Sequence, residues 1–206
     1  IVVPNLTNVF ENTFNSNRVT LNYRLQNAKY NFSIGSGVQV GELTSNNITR
    51  DTIIKQHFVN LFPSANFRYE FSKTKSLRIF YNGRTSQPSA EQLQPVADNS
   101  NPLNIRTGNP NLKQQFSHSF RFLYNSFDVF TQKLIFATIN ASFIQNDIQN
   151  STVFQSNGAQ LTMPVNLGGT YNISGFFNYG FPLKKPKSNL NLIANVSRNQ
   201  SQTLIN

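Results

Sequence analysis

The sequence predicts an all-β protein: an antiparallel, up-and-down transmembrane β-barrel wall of about eight strands. Two observations carry this prediction. Apolar and polar residues alternate with period two over eight separate stretches, the pattern of a strand with one apolar face. The links between those stretches alternate short and long, as in barrels with tight turns on one rim and long loops on the other.

Residues 1–17, rich in Asn, read as a loop or frayed strand. The alternation begins with Val19, Leu21, Tyr23 and Leu25 against Thr20, Asn22, Arg24 and Gln26. After a short turn at 26–29, the second strand sets Tyr30, Phe32, Ile34, Val38 and Val40 against Asn31, Ser33, Gly35, Gly37 and Gln39. Gly35 and Gly37 remove side chains where another backbone is expected to approach. Gly41 to Gln56 reads as a long polar connection. Strands at about 58–71 and 76–84 then flank the turn Ser72-Lys73-Thr74-Lys75, with Ala65, Phe67, Tyr69 and Phe71 on one face.

A second long connection, Thr85 to Gln114, leads to a strand with Phe116, Phe120, Phe122 and Tyr124 aligned, and His118 on their face. Ile135, Ala137, Ile139, Ala141 and Phe143 form the sixth strand, whose face the sequence leaves open. Asp147 to Asn166 reads as the third long loop. Tyr171, Ile173, Phe177, Tyr179 and Phe181, then Leu190, Leu192, Ala194 and Val196, complete the set around a turn at 184–188. Aromatics gather near the short turns: Tyr30, Phe32, Tyr69, Phe71, Tyr124, Phe127, Tyr179 and Phe181. That placement predicts an interfacial girdle, because Tyr offers a ring to lipid and a hydroxyl to headgroups.

Composition agrees. The chain of 206 residues is only 38% hydrophobic yet 13% aromatic, and about one residue in seven is Asn, well above ordinary usage. No run of 18 apolar residues exists, which excludes a transmembrane helix but not a barrel. Cysteine is absent, so no disulfide or thiolate metal site is expected. The net charge of +10 is dispersed apart from Lys184, Lys185 and Lys187, and no nucleic-acid motif accompanies it. His57 and His118 lie in different strands, so no catalytic constellation, metal site or cofactor site is predicted, and the chain is expected not to be an enzyme. The alternation places Arg24, Arg68, Glu70, Arg78, Arg84 and Arg121 on the polar side, as candidates to line a lumen, or to pair with one another or with a domain filling the barrel.

Leu61-Phe62-Pro63-Ser64, Pro88-Ser89 with Leu93 and Pro95, and Gly108-Asn109-Pro110-Asn111-Leu112-Lys113 together resemble the outer-membrane β-barrel family of Bacteroidota, related to the TonB-dependent receptors. Gln87, Gln94 and Gln114-Gln115 depart from that family's usual Arg, Asn and Pro-Glu. The marker turn, Gly108 to Leu112, is expected to end the loop and launch a strand, with Gly supplying positive φ. The resemblance implies a plugged barrel of about 22 strands in the bacterial outer membrane. Residues 1–206 are then one part of a single barrel domain, the plug and remaining strands lie elsewhere, and Ser201 to Asn206 is an open tail. It further implies uptake of an unidentified nutrient, a periplasmic energy-coupling protein as partner and a surface lipoprotein as a candidate partner. The alternative is a non-transporting barrel, an adhesion or assembly scaffold.

Overall fold

A computed structural model describes residues 10–48, 51–95, 97–98 and 101–205. Eight strands form one antiparallel sheet in sequence order: β1 (Phe10–Gln26), β2 (Tyr30–Asn47), β3 (Thr52–Ser72), β4 (Lys75–Ser86), β6 (Gln115–Asp128), β7 (Lys133–Gln145), β10 (Thr170–Leu183) and β11 (Ser188–Gln200). All eight predicted strands are present as consecutive neighbours, which is the up-and-down arrangement. The sheet is open, with β1 and β11 at its two edges.

Parity is preserved across the ladders, apart from a register shift between Glu70 and Ser72 beside the β3–β4 turn. One row runs Leu25, Phe32, Phe67, Ile79, Phe122, Ile139, Gly175, Val196, and the next runs Tyr23, Ile34, Ala65, Tyr81, Phe120, Ala141, Ile173, Arg198. The sixth strand's face is thereby settled: Ile135 to Phe143 lies with this apolar wall. Tyr69, Phe71 and Tyr124 interlock near the short turns, with ring centroids 4.8 and 6.5 Å apart. Tyr179 and Phe181 follow at 5.2 Å. Phe127 departs from the expected girdle, because its partner in the ladder is Leu134 and its parity puts it on the opposite face.

The wall has a definite height. From Tyr30 to Val40 the outward residues of β2 are apolar or small, a span of about 34 Å along the strand and about 25 Å of membrane at the usual barrel tilt. Above Val40 the same face turns polar, and Glu42 pairs with His57 at 3.4 Å. Those residues belong to strands rather than to a loop. β2 runs to Asn47 and β3 starts at Thr52, so the expected long connection from Gly41 to Gln56 is a β-hairpin rising beyond the apolar band. Residues 10–17, expected as a loop, extend β1 alongside it; residues 1–9 lie outside the described set.

The other two long connections are also structured. Helix α1 (Ala90–Leu93) and β5 (Asn104–Arg106) lie in the second, and β8 (Asp147–Phe154) with β9 (Gln160–Leu167) makes the third a hairpin. Together with β12 (Leu204–Ile205) they build a second sheet, ordered β12-β8-β9-β5. The expected tail thus pairs, in parallel, with β8.

Candidate functional site

Opposite the apolar wall lies a face of Asn, Ser, Thr, Gly and Arg with a few aromatic rings. The register sets Arg24, Arg68, Glu70, Arg78, Arg84 and Arg121 on it. They do not converge on one point. Arg68 and Glu70 pair at 2.5 Å, while Arg68 also stands directly across from Arg78. Two like charges opposite one another destabilise a sheet, and Glu70 offsets that repulsion. The Arg24 Nε donates to Asn31 at 3.4 Å and the Arg121 Nε to Asn140 at 2.9 Å. Arg78 Nε is buried without a hydrogen-bond partner, and Arg84 is exposed. Among the described residues only Arg68 has a carboxylate at ion-pair distance, so the face presents a positive potential.

Arg18 is a further cation on this face that the sequence did not single out. Its guanidinium lies 4.1 Å from the centre of the Phe62 ring, a cation–π contact reaching across β2 from β1 to β3. Gly37 makes the crossing feasible: a Cβ there would stand 2.9 Å from Thr20 Oγ1 and 3.1 Å from Arg18 Nε. Gly35 similarly makes room for Asn22. The expectation that another backbone approaches these glycines holds at Gly35, where the Leu21 carbonyl oxygen would stand 2.8 Å from a Cβ, and is corrected at Gly37, where neighbouring side chains occupy the space.

The long connection from β4 to β6 leaves and returns over this face. Pro63 sits inside β3 and has no N–H to donate. Beside it the β3–β4 ladder ends at Ser64 and Asn82. Thr85 then replaces ladder bonds with its hydroxyl, accepting from Leu61 N–H at 2.9 Å and donating to Leu61 C=O at 3.2 Å. At the neck, Asn60 is 1% exposed and gathers three amides. Its Nδ2 donates to Gln39 and Gln87 at 3.3 and 3.2 Å, and its Oδ1 accepts from Gln114 at 3.0 Å. Gln87 and Gln114 are the two ends of the connection, so one buried side chain clasps both.

Beyond the neck, Pro88 is fully buried and Ser89 caps α1 reciprocally with Gln92, at 3.2 and 2.9 Å. The helix drops Leu93, 2% exposed, into a cleft with Leu43, Ser45 and Gln56, and buried Gln94 donates to Ser45 at 2.8 Å. Leu43 and Ser45 share the parity of Gly37 and Gln39, so this packing is against the polar side of β2.

Gly108 to Leu112 fastens the two inner segments together. Gly108 N–H donates to Gln94 C=O at 3.0 Å and Asn109 N–H to Gln92 C=O at 2.7 Å. A Cβ on Gly108 would lie 2.8 Å from the Gln94 backbone carbon and nitrogen. Glycine is therefore required by close approach; the positive-φ glycines are Gly158 and Gly169. The Asn109 Oδ1 accepts from Asn111 N–H at 3.0 Å, and its Nδ2 donates to Pro164 C=O at 3.0 Å. Asn166 bonds Lys113 at both N–H and C=O, at 2.7 and 2.9 Å. The turn launches β6 as expected and also docks the β8–β9 hairpin. Among the described residues, no three His, Asp or Glu side chains assemble into a metal site.

An antiparallel sheet with one predominantly apolar, lipid-compatible face, tight turns at one rim and folded connections at the other defines an outer-membrane β-barrel wall. The chain belongs to the outer membrane protein beta-barrel family, whose model matches residues 1–206. It is a protein of the bacterial outer membrane. No curated protein matches it.

Proposed function

We propose that this chain forms part of the wall of an outer-membrane receptor that takes up a nutrient through TonB-dependent transport. The observation that carries the reading is the clasp at Asn60, which folds the 86–114 connection back over the cationic face instead of leaving it upright. Such an inner element narrows the space beside the wall and presents recognition surfaces at the mouth. Arg18, Arg24, Arg78, Arg84 and Arg121 then guide an anionic or strongly polar solute along the lumen.

On this reading the open edges of β1 and β11 pair with further strands, since an unpaired edge in hydrocarbon leaves backbone groups unsatisfied. The resemblance implies about 22 strands in all, a separate plug and a periplasmic coupling protein. A cell-surface lipoprotein covering the mouth fits the same scheme. The 42–57 hairpin, polar above the apolar band, favours the second reading: a scaffold that binds a partner without transport.

Depletion of solutes from a defined medium distinguishes the two. Cells lacking the full-length protein are expected to leave at least one solute unconsumed, and a protonophore is expected to reproduce that defect in wild-type cells. Identical depletion with and without the protein, accompanied by loss of a surface partner, contradicts uptake and supports the scaffold.

A further inference from the structure

Charge is divided sharply between the two rims. Lys29, Lys73, Lys75, Lys133, Lys184, Lys185 and Lys187, seven of the nine lysines, lie in or beside the four short turns. All are exposed. Glu11, Glu42, Asp51, Glu91, Asp98 and Asp147, six of the eight carboxylates, lie at the opposite rim or in the folded connections. The two carboxylates near the short turns are already engaged. Glu70 pairs with Arg68, and Asp128 accepts from the N–H groups of Phe130 and Thr131 at 2.9 and 3.3 Å. Among the described residues, none of the seven lysines has a carboxylate at ion-pair distance.

Position relative to lipid identifies what this charge faces. Lys75 pairs with Ser126, and Lys133 with Asp128, in the parity of the apolar wall. Directly toward the membrane centre stand Leu77, Tyr124, Ile135 and Tyr179. A lysine one or two residues outside an aromatic girdle lays its methylenes along the rings and carries its ammonium to the headgroup level. Short turns face the periplasm in outer-membrane barrels, and the periplasmic leaflet is phospholipid.

We propose that the short-turn rim is a binding belt for the phosphate groups of anionic phospholipids in the periplasmic leaflet. Lys75 and Lys133 contact headgroups beside the wall. Lys73 and the Lys184-Lys185-Lys187 turn supply charge just beyond it. The belt anchors the barrel vertically and fixes which lipids surround it. It depends on the outer-membrane assignment and is independent of whether the barrel transports anything.

The test uses the full-length protein in phosphatidylcholine vesicles carrying a minor fraction of spin-labelled phosphatidylglycerol or spin-labelled phosphatidylcholine. The motionally restricted fraction is expected to favour phosphatidylglycerol by about fivefold, and raised salt should weaken that preference. Changing Lys73, Lys75, Lys133, Lys184, Lys185 and Lys187 to Gln should bring the two lipids level. Changing Lys55 and Lys113, at the other rim, should leave the preference intact. If the sixfold variant does not fold, the triple variant K184Q/K185Q/K187Q is expected to lose part of the preference while keeping heat-modifiable migration. Equal restriction of both lipids by the wild-type protein overturns the proposal. So does inorganic phosphate abolishing the preference where chloride at equal ionic strength does not, because the site then reads free phosphate. A rim variant that keeps its lipid preference but loses a co-purifying periplasmic protein overturns it as well.

Discussion

Asn60 is the residue on which the inner architecture turns. Replacing it with Leu keeps the branched heavy-atom shape but removes three amide hydrogen bonds, at a cost of about 1–3 kcal/mol where the partners remain buried. Asn60→Leu is expected to raise protease cleavage within 86–114 by about tenfold or more while β1 to β4 stay folded; an unchanged cleavage rate would remove the clasp. Glycines give a paired contrast. Gly108→Ala drives a methyl into the Gln94 backbone and is expected to cost about 1–3 kcal/mol. Gly175→Ala meets nothing within 4 Å on the lipid side and should be neutral in the same denaturant titration. Equal effects at both sites would contradict the close-approach account. Neither role was legible in sequence: Asn60 looks like one polar residue among many, and Gly108 like an ordinary turn glycine. Parity did allow the six charged candidates to be assigned to one face, but their separation along it depends on register.

At the scale of the element, legibility follows solvent. Where one face meets lipid and the other water, as in Phe120 to Tyr124, alternation betrays the strand. Above Val40 no lipid faces the outer side of β2 and β3, and the inner side is covered by the folded connection, so Glu42, Leu43 and Thr44 lose the period and the strand looks like a loop. β5 and β12, three and two residues long, are too short to carry any period. Phe127 lies near Tyr124 in sequence but an odd number of residues away, and an odd separation along a strand reverses the face. Two consequences are measurable. Amides of Glu42 to Ser45 should exchange slowly, as ladder amides do, whereas exchange as fast as that of an open loop would refute the raised hairpin. Phe120→Arg should destabilise the folded barrel in vesicles by about 2–4 kcal/mol near mid-membrane, while Ser119→Arg, one residue away on the polar face, should cost far less. Comparable losses would mean that the faces do not meet different solvents.

For the whole molecule, the sheet explains how a chain of modest hydrophobicity inhabits a membrane. Its apolar side chains are largely exposed, with Val19 at 77% and Leu21 at 80%, and the buried hydrophobic residues among those described are Phe58, Leu93 and Ala159. A contiguous apolar surface across eight strands would drive aggregation in water; in lipid it is the stabilising contact. Polar atoms, cations and the folded connections collect on the other side, and lysines on the short-turn rim. The central claim is this division into a lipid face and an aqueous face. It is tested most directly by single cysteines placed in turn from Ser119 to Asn125, in a chain that has none of its own, in the full-length protein with each labelled by a fluorophore. Quenching by a lipid-confined agent should peak at 120, 122 and 124, and quenching by a water-soluble one at 119, 121 and 123. Quenching without that alternation would contradict the account.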